Sequence, residues 1–123
     1  MMQTPIYIQI GNVGPQGASG AAPITPLGNV SPYTAAAISG PAIFTIYNTS
    51  SAPFTFNLPA APAVKQQVQV IDGSLNAQTY AITIQGNGKN ISVGGTLGMS
   101  SVINTKGGFL NLVWDGTQWS QAA

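Results

Sequence analysis

The chain has 123 residues, and three lysines (Lys65, Lys89, Lys106) with two aspartates (Asp72, Asp115) are all of its charge, for a formal net charge of +1; arginine, glutamate, histidine and cysteine are absent. That composition argues against nucleic-acid binding, whose affinity comes largely from Lys and Arg neutralising phosphates, and it excludes disulfides and thiolate or imidazole metal sites. It also removes the usual general bases, thiol nucleophiles and anion clamps, so neither an enzyme nor a cofactor is expected.

An ordinary globular chain is about a quarter charged, and surface charge, Lys on edge strands above all, is what usually keeps strands of different molecules apart. A chain without it either coats itself in Ser, Thr, Asn and Gln or buries surface against copies of itself or a partner. The weight of Ala, Gly and β-branched residues favours association. Met1 to Pro5 shows no basic segment leading into an apolar stretch, and no run reaches the roughly 18 apolar residues of a membrane span. A soluble protein without a visible export signal is the expectation.

In chain order, Ile6, Tyr7, Ile8 and Ile10 alternate with or flank Gln9 in a short β-prone run isolated from other strands. Two readings fit it: an anchor strand that joins a sheet on another subunit, or a strand that returns to its own domain. Gly11, Gly14, Gly17 and Gly20 then keep a period of three, the spacing a collagen triple helix requires because only glycine fits at its axis. Four triplets make a three-chain neck of roughly 35 Å; a flexible Gly/Pro/Ala linker fits the same composition. Pro23 to Ser39 reads as a connector, with Ala35-Ala36-Ala37 as one turn of helix at most. Residues 1–41 are thus expected to be an arm and residues 42–123 a β-domain.

Ile43 to Tyr47 and Phe54 to Leu58 flank a loop of turn formers and read as two antiparallel strands. Val68/Val70 run into Asp72-Gly73, Ile82/Ile84 into Asn87-Gly88, and Ile91/Val93 into Gly94-Gly95. Leu110 to Trp119 closes the chain as a hairpin about Asp115-Gly116, a pair suited to a type I′ turn. About eight short strands with turn signals every 8 to 12 residues point to an all-β fold, a small antiparallel sandwich or jelly-roll-like domain. The spacing also admits a β-helical solenoid, placed second because the turns keep no fixed period.

Candidate sites are few. Asp72 and Asp115 are the only carboxylates, and glycoside hydrolysis needs a pair; both precede glycine, where Asp serves a turn by bonding nearby backbone. The glycines around Lys89 and at Gly94-Gly95 lack the strand-loop-helix setting of a phosphate cradle. Tyr80, Trp114 and Trp119 offer an aromatic platform for a sugar ring if exposed, and the end of a core if buried. Across a tight hairpin, burial of the two tryptophans is favoured.

The pieces Asn57-Leu58-Pro59-Ala60-Ala61-Pro62, Val68 to Gly73, Ala81 to Ile91 and Leu112-Val113-Trp114-Asp115-Gly116-Thr117-Gln118-Trp119 together resemble a β-module of bacteriophage virion proteins. Tail fibres, head fibres and capsid decoration proteins carry it. The resemblance covers about half the chain and none of residues 1–42. It implies a homotrimeric, structural component of the virion. A short chain with an arm looks like a capsid decoration or head-fibre protein, with Ile6, Tyr7, Ile8 and Ile10 anchoring to the major capsid protein and Gly11, Gly14, Gly17 and Gly20 forming the trimer neck. The alternative is the tip of a tail fibre binding a host surface glycan. Neither implies a nucleic-acid or membrane partner.

Overall fold

The computed structural model describes residues 24–122, and none of these is helical. Their strands are β1 (Ile24–Leu27), β2 (Tyr33–Thr34), β3 (Pro41–Ile46), β4 (Phe54–Asn57), β5 (Gln67–Asp72), β6 (Ile82–Gln85), β7 (Ile91–Val93), β8 (Thr96–Gly98), β9 (Ser100–Ile103), β10 (Phe109–Trp114) and β11 (Trp119–Gln121). They form a seven-stranded sheet, β1-β3-β5-β10-β11-β7-β8, and a four-stranded sheet, β2-β4-β6-β9.

The two-layer, all-β arrangement agrees with the expected sandwich, but the strand order is not antiparallel. From β1 to β6 the chain alternates between the sheets, and each strand pairs in parallel with the one a full circuit earlier: β1 with β3 and β3 with β5 in the large sheet, β2 with β4 and β4 with β6 in the small one. This is the winding of a short β-solenoid. Its coils differ in length, the register passing from Ile24 to Ile43 to Gln69 in one sheet and from Tyr33 to Phe56 to Ile84 in the other. A repeat of fixed period is therefore missing from the sequence, although the geometry repeats. Antiparallel β10 and β9 then close the growing side of the two sheets against β5 and β6.

Two local expectations are corrected by this winding. The segment 48–53 is not a hairpin loop, because β3 and β4 lie in different sheets; it is a corner. Buried Asn48 builds it, donating Nδ2 to the Ala52 carbonyl at 2.7 Å and accepting from the Ser50 amide at 3.1 Å. Asp72-Gly73 and Asn87-Gly88 are likewise corners. Among the described residues only Gly94-Gly95 and the loop after Trp114 join adjacent antiparallel strands.

Residues 24–41, expected as the end of the arm, carry the first coil. Leu27 and Ala35 are buried, and the Ala35 amide donates to the Asn57 carbonyl at 2.9 Å, extending the β2–β4 ladder where a helical turn was expected. Strands of four and two residues, one containing proline, are too short to be read without their partners. The rest of the supposed arm, including the orphan strand and the glycine triplets, lies outside the described residues.

The core is the space between the sheets. Alternation sends Ala42, Phe44 and Ile46 of β3 inward beside Val68 and Val70 of β5 and Leu110 and Leu112 of β10. From the small sheet come Phe54, Phe56, Ile82, Ile84 and Ile103. Tyr33, Phe44 and Phe56 form one aromatic group spanning both sheets, with Phe44 and Phe56 edge to face at 5.0 Å. Such pairs contribute about 0.5–1.5 kcal/mol beyond burial, and those of Tyr33 with Phe44 and Phe56 fasten the first coil to the second. Buried Gln66 adds polar ties. Its Oε1 accepts from the amides of Ala63 at 3.2 Å and Ile38 at 3.4 Å, and its Nε2 donates to the Ala36 carbonyl at 3.4 Å.

Candidate interaction surfaces

Ile6, Tyr7, Ile8, Ile10, Gly11, Gly14, Gly17 and Gly20, the expected anchor and neck, lie outside the described residues. The aromatic trio is not a platform. Trp114 and Trp119 pack against each other between the sheets, 7% and 0% exposed, while half-buried Tyr80 sits in the β5–β6 corner. The two indoles point inward because they stand opposite each other in the β10–β11 ladder, on the same face as Leu110 and Leu112.

The two aspartates hold backbone. Buried Asp72, the inward last residue of β5, accepts through Oδ2 from the amides of Ala77 at 2.9 Å and Gly107 at 3.0 Å. Asp115 caps the last loop, accepting through Oδ1 from the amides of Thr117 at 2.8 Å and Gln118 at 2.9 Å. These amides hold its carboxyl below the usual range, Gln118 first and Thr117 next, with a smaller contribution from the Ser120 hydroxyl. The loop runs from Asp115 to Gln118 between paired Trp114 and Trp119, so it is longer than the two-residue turn expected. The aspartates stand at opposite ends of the β5–β10 ladder. At about 3.3 Å per residue this separates them by roughly 20 Å, beyond the roughly 5–10 Å between the carboxylates of a glycosidase pair. Among the described residues no group of three His, Cys, Asp or Glu could hold a metal ion.

The glycine segment beside Lys89 is a tight turn. Gly86 donates to the Met99 carbonyl at 2.8 Å, and the Lys89 carbonyl occupies the place a Cβ on Gly86 would take. Lys89 Nζ reaches the Ala60 carbonyl at 2.9 Å. The turn is closed by its own backbone, the Lys89 amide donating to the Gly86 carbonyl at 3.2 Å.

What remains are the two outer sheet faces, and they differ. On the small sheet the register aligns Thr34, Asn57, Gln85 and Ser100 in one row and Thr55, Thr83 and Val102 in the next. This face is almost wholly uncharged hydroxyl and amide, with an open groove bordered by Pro32, Asn57, Gln85 and Asn87.

On the large sheet β3, β5 and β10 share one burial pattern, and their outward residues form a regular grid: Thr45, Ile71 and Phe109; Ile43, Gln69 and Asn111; Pro41, Gln67 and Val113. Pro26 and Ile24 extend the first two rows at the edge. A groove of about 420 Å³ lies along this face between Ile43 and Val113. Reading the sequence for single-parity alternation missed this surface. Its signal is present as adjacent apolar pairs, Ile43-Phe44, Val70-Ile71, Phe109-Leu110 and Leu112-Val113, which give a strand two apolar faces.

Neither a scan of protein-family models nor a search of curated proteins finds a match to this chain.

Proposed function

We propose that this chain is a structural virion protein, a capsid decoration or head-fibre protein of a bacteriophage, homotrimeric and bound to the major capsid protein through its N-terminal arm. The observation that carries the reading is the placement of charge. Lys65, Lys89, Lys106 and Asp115 all lie in corners and loops, and Asp72 is buried, so no outward strand position of either sheet is charged. Such a body is suited to packing against protein, and its two carboxylates are committed to holding backbone. The resemblance of the segments from Asn57 to Trp119 to phage virion modules supplies the setting.

The test is co-sedimentation with shells assembled from the major capsid protein, using the full chain and a variant lacking residues 1–22. The full chain is expected to pellet with shells and to sediment alone as a trimer. The shortened chain is expected to keep its tryptophan emission and lose shell binding. A monomer that binds shells equally well with and without those residues contradicts the proposal.

A second reading, a receptor tip binding a neutral glycan, now rests on the small sheet instead of on the tryptophans. The row Thr34, Asn57, Gln85 and Ser100 presents uncharged donors and acceptors. A glycan array probed with the wild-type chain and with Gln85→Leu separates it from the first reading, because the substitution should abolish glycan signal and leave shell binding intact.

A further inference from the structure

We propose that copies of this chain meet through the outer face of the seven-stranded sheet, with Phe109 of one copy seated in the groove between Ile43 and Val113 of another. The inference rests on the self-association in the function proposed above and names the surface responsible.

Large apolar side chains gather on this face. Phe109 is 59% exposed and Ile24 66%, beside half-buried Ile43, Ile71 and Val113. Exposed apolar side chains on a face without charge mark association surfaces; here Ile71 and Phe109 are neighbours in one row, Ile24 and Ile43 in the next, and the amides of Gln67, Gln69 and Asn111 stand among them. On the small sheet's outer face the exposed large apolar residues are Val102, alone in its grid, and Met99, at the edge of its groove.

The occupant is a second copy for two reasons. Near a symmetry axis a residue meets its own copy, and a Lys or Asp there repels itself. An amide carries both donor and acceptor and can pair with an identical amide. A face whose grid carries no charge, and whose amides include Gln67 and Gln69, is therefore compatible with itself and offers no charge by which to select a different partner. Second, the same grid carries both a projection and a recess. Phe109 stands at the end of the β5–β10 ladder, and the groove lies along its other rows, over Gln67 and Gln69. One kind of contact, repeated, fills every recess with an aromatic ring, the side chain that most often anchors an interface. Made in one direction around an axis, this contact is heterologous and closes into a ring when the rotation permits.

The experiment is sedimentation equilibrium of the full chain over a range of concentrations, comparing wild type with Phe109→Lys and Ile43→Lys on the large sheet and with Thr83→Lys and Val102→Lys on the small sheet. Tryptophan emission checks folding, since Trp114 and Trp119 are enclosed and all four substituted side chains point outward. The two large-sheet variants are expected to raise the dissociation constant on the order of a hundredfold, with both small-sheet variants matching wild type. If wild type associates but the large-sheet variants stay assembled, or if the small-sheet variants dissociate equally, the face is wrong while self-association stands. A wild type that is monomeric at every concentration overturns both.

Discussion

Trp119 faces Trp114 across the last hairpin with the indole centroids 5.7 Å apart and the rings tilted by 57°, and the Trp119 Nε1–H, fully enclosed, has no hydrogen-bond acceptor. The residue that closes the core thus combines a large apolar contribution with an unpaired donor. Removing both by Trp119→Ala should destabilise the fold by about 3–5 kcal/mol through the cavity it leaves. Trp119→Phe should cost much less, because losing the buried N–H returns part of the roughly 1–3 kcal/mol that such a donor costs. Urea unfolding followed by circular dichroism measures the difference. Equal losses for the two variants would show that the donor has a partner or that the pocket collapses fully around alanine.

Asp72 ties the β5–β6 corner to the turn before β10 through its bonds to Ala77 and Gly107. Asp72→Ala leaves two amides without that acceptor and should cost at least about 2 kcal/mol. Asp72→Asn keeps one acceptor oxygen and should retain most of the stability. Hydrogen exchange at the Ala77 and Gly107 amides locates the effect: both should exchange faster in Asp72→Ala, and neither should change if the side chain serves only to fill space.

The parts of this fold visible in the sequence are those governed by neighbours along the chain. Alternation in Gln67 to Asp72 and Phe109 to Trp114 gives the strands and their inward faces. The sequence around Asp115-Gly116 gives the last hairpin. Parallel pairing is invisible at that range, since Ile43 meets Gln69 only after the chain has passed through the other sheet and two corners. Corners look like hairpin turns because both draw on Asn, Asp and Gly; Asn48 makes one by bonding backbone within its own loop, and nothing local says that the next strand leaves the sheet. β1 and β2 are shorter still, and Tyr33 shows its role only once Phe44 and Phe56 stand beside it. The proposed association surface was legible in part. Scarcity of charge pointed to association, but choosing the face required the register that sets Ile71 beside Phe109 and Gln69 beside Asn111.

Gly73 shows how tightly one corner is packed. A Cβ there would lie 2.6 Å from Thr45 Cγ2, 2.8 Å from Tyr47 Cε1 and 3.1 Å from the Ile46 carbonyl. Tyr47 is half exposed and can swing aside, whereas the Thr45 methyl is held by a β-branched side chain on a strand between two others. Gly73→Ala should therefore destabilise by about 1–3 kcal/mol, the usual range for overpacking. Adding Thr45→Ser removes the offending methyl and should restore part of the loss, a coupling that a double-mutant cycle measures directly. Strictly additive effects would place the strain on the Ile46 carbonyl instead.

Asp115 gives the fold a pH-dependent element. Bonding to the Gln118 and Thr117 amides depresses its folded pKa, so the carboxylate is favoured by folding. The stabilisation is complete above the unfolded pKa of about 4 and disappears as pH falls through the lower folded value. Because the carboxyl is at the surface the effect is small and weakens in salt. Asp115→Asn keeps an acceptor for the loop without the titration. The difference in melting temperature between wild type and this variant should be constant above about pH 5 and should shrink or reverse below about pH 4. A difference that stays constant down to about pH 2 would mean that the amides of Thr117 and Gln118 bond the protonated carboxyl as well as the carboxylate.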